Sequence, residues 1–249
     1  MTRLNSKIES ARPVTVVRFG GPLELASAAI AWNLLVKVLA EQPDALVVDL
    51  SSITIDDPQV LLVFGALARR AGVWPGVPVI LVAPDADLRL ALHHHAVDRQ
   101  LAVCAGRGEA IVMARSAPLP LRLRESLLPD PGAARHARDL ATEACVRWRL
   151  PDLVPAASII ASELVTNAVR HAGTPLELVL ARTERYLHIA VRDQDPRPAV
   201  LQRPTLLATG GRGLMIVQRT ALSWGSTPAQ DGKVVWATLS AGDRPGRTG

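Results

Sequence analysis

Glu163 and Asn167 stand four residues apart in the apolar segment from Ala157 to Ala172, which places a carboxylate and a carboxamide on one face of a helix. A carboxamide oxygen is a hard ligand suited to Mg²⁺ when phosphates supply most of the other oxygens. A carboxylate beside it can take the proton of an attacking hydroxyl. Asp193 closes a strand in which Leu187, Ile189 and Val191 alternate with His188, Ala190 and Arg192, so period two sets it on the apolar side. A carboxylate there needs a partner, which makes Asp193 a candidate ligand contact. Gly210-Gly211-Arg212-Gly213 runs into Leu214-Met215-Ile216-Val217. Glycines that open a helix bare N–H groups at its positive dipole end, where a phosphate sits readily.

The elements that must position these groups can be read around them. Ala157, Ala161, Leu164, Val165, Ala168 and Ala172 form a packing stripe, and the polar pair looks away from it; Ile159, Ile160 and Val169 leave little of the helix free for water, so the pair is expected to line a cleft and not an open surface. Gly173-Thr174-Pro175 ends this helix and starts a hairpin of Leu176 to Arg182 with Leu187 to Asp193. Before it lie an edge strand at Leu121 to Arg124, a helix-starting turn at Pro129 to Gly132 and a helix from Ala133 to Trp148. After it, Trp224-Gly225 is expected to close the helix that follows Gly213, and Gly232 to Leu239 to form a last strand.

The preceding part of the chain alternates strand and helix patterns. Strands are expected at Val14 to Phe19, Ala45 to Leu50, Val79 to Val82 and Leu101 to Cys104, and helices at Ala26 to Ala40, Pro58 to Ala71, Asp87 to His95 and Gly108 to Ala114. Ser116-Ala117-Pro118-Leu119-Pro120 reads as a linker. The expected boundaries are 1–115, a linker at 116–120, and 121–249.

Composition excludes several classes. The 249 residues are 49% hydrophobic, but in short runs below the roughly 18 that a membrane helix requires, and Met1 to Lys7 lacks the apolar core of a signal peptide. The expectation is a cytoplasmic protein with no membrane contact. The net charge of +5 rests on Arg, with Lys only at 7, 37 and 233, and eight aromatics (five Trp, one Tyr, two Phe) offer little for base stacking, so no nucleic-acid partner is expected. Cys104 and Cys145 have no metal-ligand spacing and read as reduced structural thiols. His93-His94-His95 point in different helix directions and read as surface residues. The glycine run at 210–213 follows a Pro-rich loop and lacks the spacing of a dinucleotide-binding loop.

The order of Glu163 with Asn167, then Asp193, then Gly211 with Gly213 resembles the GHKL (histidine kinase-like) ATPase superfamily, and within it the anti-sigma-factor serine kinases. The resemblance covers roughly Leu119 to Ser240 and implies a Bergerat-type α/β sandwich. It implies that Asn167 holds Mg²⁺ bridging the phosphates of ATP, that Glu163 orients or deprotonates the attacking hydroxyl, that Asp193 accepts the adenine amino group, and that Gly211, Arg212 and Gly213 cradle the phosphates. Where the family has Asp-x-Gly-x-Gly, this chain has Asp193-Gln194-Asp195-Pro196-Arg197, a stiffer and more acidic turn.

From Val14 to about Val112 the chain resembles a STAS domain, the fold of anti-sigma-factor antagonists, which implies a mixed sheet with helices. Those antagonists carry Asp-Ser-Ser-Gly where a helix starts, with the first Ser phosphorylated; here the run is Asp56-Asp57-Pro58-Gln59. Asp57 takes the acceptor place with one negative charge against about 1.5 to 2 for phosphoserine, which implies a degenerate antagonist domain held near its phosphorylated-like state. Without the family, Asp57-Pro58 is an ordinary helix start. Together the resemblances imply a two-domain ATP-binding regulator of transcription that acts with a sigma factor or an anti-sigma-factor antagonist, as a protein serine/threonine kinase or as a switch module that binds its partner with ATP and transfers nothing. A homodimer is left open.

Overall fold

A computed structural model of the chain describes residues 3–11, 14–201 and 213–242. The chain divides into two compact units, Met1–Leu119 and Pro120–Gly249.

The first unit contains β1 (Asn5–Ala11), β2 (Val14–Pro22), α1 (Leu25–Ala40), β3 (Ala45–Thr54), a 3₁₀ turn (Pro58–Leu61) leading into α2 (Leu62–Val73), β4 (Val79–Val82), α3 (Ala86–His94), β5 (Ala102–Cys104) and α4 (Arg107–Ser116). Its strands lie in the order β1-β2-β3-β4-β5, with β1 antiparallel to β2 and the remaining pairs parallel. A central parallel strand is covered on both faces. Accordingly Leu46, Val48 and Leu50 of β3 share one core with Phe19, Phe64 and Leu67, while Ala45 and Val47 share another with Ile80, Ala110 and Ala114. This is the expected mixed sheet with helices. Sequence periodicity gives no sign of β1, because Asn5-Ser6-Lys7-Ile8-Glu9 lacks apolar alternation; the ladder to β2 orders it, from Asn5 opposite Gly20 to Ala11 opposite Val14.

One charge is built into this sheet. Asp49 is 1% exposed and fully satisfied: Oδ2 accepts from Arg18 Nε at 3.0 Å, and Oδ1 accepts from the Ser51 N–H at 3.0 Å and the Ser51 hydroxyl at 2.5 Å. Burial pushes its carboxyl up, but the Ser51 and Arg18 bonds outweigh that and hold it below the usual carboxylate range. Asp57 is exposed by contrast. It is the N-cap of the 3₁₀ turn, with Oδ1 accepting from the Gln59 N–H at 2.9 Å and Pro58 in the first turn.

The second unit contains β6 (Leu121–Leu127), α5 (Ala133–Arg147), a 3₁₀ turn (Pro151–Leu153), α6 (Val154–His171), β7 (Leu176–Arg182), β8 (Tyr186–Asp193), α7 (Gly213–Thr220), β9 (Ser223–Pro228) and β10 (Lys233–Ser240). The sheet order is β6-β7-β8-β10-β9 and every pair is antiparallel. Helices α5 and α6 lie on one face: Ala137, Ala141, Ala144 and Cys145 meet Ala157, Ala161, Leu164 and Val165 over Leu178, Ile189, Val191 and Val235. Alanines on both helices let them approach closely. By length and composition alone Pro151–His171 could span a bilayer, yet its apolar stripe forms the centre of this core.

Trp224 and Gly225 correct one expectation. They do not close α7, which ends at Thr220, but belong to β9, where Gly225 lies opposite Trp236 and beneath its indole. Ser223-Trp224-Gly225-Ser226-Thr227-Pro228 has little strand propensity of its own, and the pairing with β10 decides its state.

Candidate functional site

The polar pair sits on α6 as its spacing requires. Ala157, Ile160, Ala161, Leu164, Val165 and Ala168 are buried, whereas Glu163 and Asn167 are half-buried one turn apart. Among the described residues neither side chain has a hydrogen-bond or ion-pair partner. Ile159 is 44% exposed, so this side of the helix is more open than its apolar residues imply.

Gly213 starts α7 against Glu163. A Cβ at that position would lie 2.5 Å from Glu163 Oε2, so the carboxylate reaches the point where α7 bares its first N–H groups. Gly211 and Arg212 lie outside the described residues.

Asp193 is 1% exposed at the end of β8. Its partner is Lys233, the residue opposite it on β10, whose Nζ donates to Asp193 Oδ1 at 2.8 Å with both side chains almost fully buried. Asp193 Oδ2 is buried with no hydrogen-bond partner among the described residues. The turn after Asp193 needs no glycine, because polar contacts staple it. The Asp195 N–H donates to Asp193 Oδ1 at 2.9 Å, Lys233 Nζ donates to the Asp195 carbonyl at 3.1 Å, and Arg197 donates its N–H and Nε to Asp195 Oδ1 at 3.1 and 2.9 Å. Arg197, with Lys233 nearby, holds the Asp195 carboxyl well below the usual range. The same turn is tied to the end of α6 through Arg197 Nη2 to the His171 carbonyl at 3.4 Å and the Gln194 N–H to Thr174 Oγ1 at 3.2 Å.

The glycine that this geometry does require is Gly232, in the hairpin before β10. A Cβ there would fall 2.0 Å from the Asp193 carbonyl and 2.7 Å from Gln194 Cα, so only a bare backbone fits beside the turn. Sequence reasoning passes over both Gly232 and Lys233. The signal for Lys233 is its setting: one of three lysines in the chain, it begins the apolar run Val234-Val235-Trp236-Ala237. His188 departs from the alternation read in β8. It is 2% exposed and pushed down to about 4 by burial, helped by Arg122, so both faces of this strand are covered.

Chemically, Asp193 Oδ2 is an unspent acceptor, the Asn167 carboxamide oxygen suits an oxygen-loving cation, and Glu163 offers a carboxylate. Among the described residues no cluster of three or more His, Cys, Asp or Glu forms a metal site, so a divalent cation here would depend on oxygens from a ligand.

Residues 127–239 match the histidine kinase-like ATPase domain family, a span that includes Glu163, Asn167, Asp193 and Lys233. The first part of the chain is similar to solved antagonist structures. An anti-sigma factor antagonist from Mycobacterium paratuberculosis is 23% identical, with 46% of this chain and 96% of that one covered and a TM-score of 0.40. The antagonist SpoIIAA in its unphosphorylated form is 16% identical, with 46% and 99% covered and a TM-score of 0.38. A variant of RsbS from Moorella thermoacetica is 20% identical, with 44% and 94% covered and a TM-score of 0.39. No curated protein matches the sequence.

Proposed function

We propose that the histidine kinase-like half binds Mg-ATP and makes this chain an anti-sigma-type regulator that phosphorylates a Ser or Thr on an antagonist partner. The observation that carries the reading is Asp193: a strand-end carboxylate, almost fully buried, with one oxygen fixed by Lys233 and the other without a hydrogen-bond partner among the described residues, inside a span that matches ATPase domains. An oxygen so placed costs about 1–3 kcal/mol unless a ligand satisfies it, and the adenine amino group is the donor this reading brings to it.

In this reading Asp193 orients the base, the carboxamide oxygen of Asn167 holds Mg²⁺, and Gly211, Arg212 and Gly213 hold the phosphates. Bound Mg-ATP supplies a transferable terminal phosphoryl group. Glu163 takes the proton from the partner's hydroxyl as its oxygen becomes the nucleophile. The first unit, with Asp57 in the acceptor place, serves as a docking or regulatory domain that is not itself a substrate.

One observation favours a second reading, a switch module without transfer. Glu163 Oε2 packs against Gly213, where a carboxylate stabilises the start of α7 through its free N–H groups and dipole. Incubation of the full chain with radiolabelled ATP and a panel of antagonist proteins separates the two. Transfer that disappears in Glu163→Ala supports the kinase. Tight, ATP-dependent partner binding with no transfer supports the switch.

A further inference from the structure

We infer that Lys233 is a positioning and specificity-determining residue for the nucleotide base: by occupying Oδ1 of Asp193 it holds Oδ2 in place as the acceptor for a ligand donor, and so selects adenine over a purine that carries a carbonyl in place of the amino group. This rests on the nucleotide-binding reading above.

Lys233 Nζ donates to Asp193 Oδ1 at 2.8 Å and to the Asp195 carbonyl at 3.1 Å, and it lies 3.4 Å from Asp195 Oδ2. With its side chain only 4% exposed, it is turned to these protein oxygens. Asp193 Oδ1 already accepts from Lys233 and from the Asp195 N–H, which leaves Oδ2 as the oxygen without a hydrogen-bond partner among the described residues. The hairpin backbone runs close against this turn, since a Cβ at Gly232 would fall 2.0 Å from the Asp193 carbonyl oxygen.

The chemical consequence concerns direction. In the ion pair with Lys233 one oxygen of Asp193 is taken, and the other is held in place as an acceptor. Without that pin the carboxyl can turn away from the base, and the preference goes with it. With the pin in place, a ligand amino group is welcomed at Oδ2, whereas a ligand carbonyl would set two acceptors against each other in a site with little water. The family resemblance assigns Asp193 to the base; the structure adds that an internal lysine sets the sign of that recognition.

The test compares ATP with inosine triphosphate, whose base has a carbonyl where adenine has its amino group. Titration calorimetry of the full chain with Mg²⁺ present gives both dissociation constants. For wild type, ATP should bind about 10- to 100-fold more tightly than inosine triphosphate. Lys233→Met should bring that ratio close to one, while Lys233→Arg should retain it. A purely structural lysine would weaken both nucleotides together and leave the ratio unchanged, which would overturn the proposal. If Lys233→Met does not fold, the neutral pair Lys233→Met with Asp193→Asn replaces it: the amide can turn either its N–H₂ or its oxygen to the base, so a retained preference for ATP would again overturn the proposal. Equal binding of both nucleotides by wild type would sink this inference alone. Absence of any ATP binding by wild type would remove the nucleotide reading itself.

Discussion

Two buried aspartates, one in each unit, have the same exposure of 1% and opposite roles. Asp49 in β3 and Asp193 in β8 each face one cation, Arg18 at 3.0 Å and Lys233 at 2.8 Å. The difference lies in what remains. Ser51 fills the second oxygen of Asp49 from both its backbone and its hydroxyl, whereas Asp193 Oδ2 has no hydrogen-bond partner among the described residues. The cations differ too, since the Arg18 side chain is 43% exposed and Lys233 only 4%. Burial of a charge therefore does not identify a binding site; unspent hydrogen-bonding capacity does.

The strongest way to break the comparison is Asp193→Ala. It leaves the Lys233 ammonium buried with only Asp195 for company, so chemical denaturation should show a loss of about 3 kcal/mol, and Mg-ATP should no longer raise the melting temperature. An unaltered thermal shift would mean that Asp193 is as purely structural as Asp49. Asn167→Ala isolates the ligand side: melting without nucleotide should change little, while the stabilisation by Mg-ATP, about 2.7 kcal/mol at 100 times the dissociation constant, should vanish. Asp49→Asn should cost about 1–3 kcal/mol by weakening the Arg18 and Ser51 bonds, with the ATP-dependent shift intact.

The same substitution sharpens the pH dependence. Because the folded Asp49 carboxyl lies below its usual value, its contribution is present above the unfolded value of about 3.9 and is lost as the pH falls through the folded one. Acid unfolding of the first unit should accordingly be less steep in Asp49→Asn than in wild type. The smallest effect is expected from Asp57→Ala, which removes an exposed N-cap bond and should cost about 1 kcal/mol with nucleotide binding untouched.

Much of this organisation is legible from residue type and spacing. The central strands announce themselves as apolar runs, α6 by its alanine stripe, and Asp193 by its place in an alternating strand. What escapes has a physical reason in each case. Strand β1 is polar because an exposed edge asks for no apolar face, and β9 carries a glycine and a proline because Trp236 supplies the bulk over Gly225. Lys233 escapes because a charge at the start of a strand ordinarily faces water, and only the register that sets it opposite Asp193 reveals its burial. The acidic turn from Asp193 to Arg197 reads as a loss of glycines, yet the need for a bare backbone has moved to Gly232 on the adjoining hairpin.

Cys104 and Cys145 are both free and buried, one in each unit, and burial pushes both thiols up, Cys145 to about 11. A thiol so protonated and enclosed reacts with an alkylating reagent only when its surroundings part. The chain thus carries two internal clocks, one per unit. Cys145 packs among the alanines that join α5 to α6, directly behind the helix bearing Glu163 and Asn167, so the pace at which it is labelled measures how often that helix pair breathes, and whether a nucleotide slows it, with Cys104 keeping separate time for the other sheet.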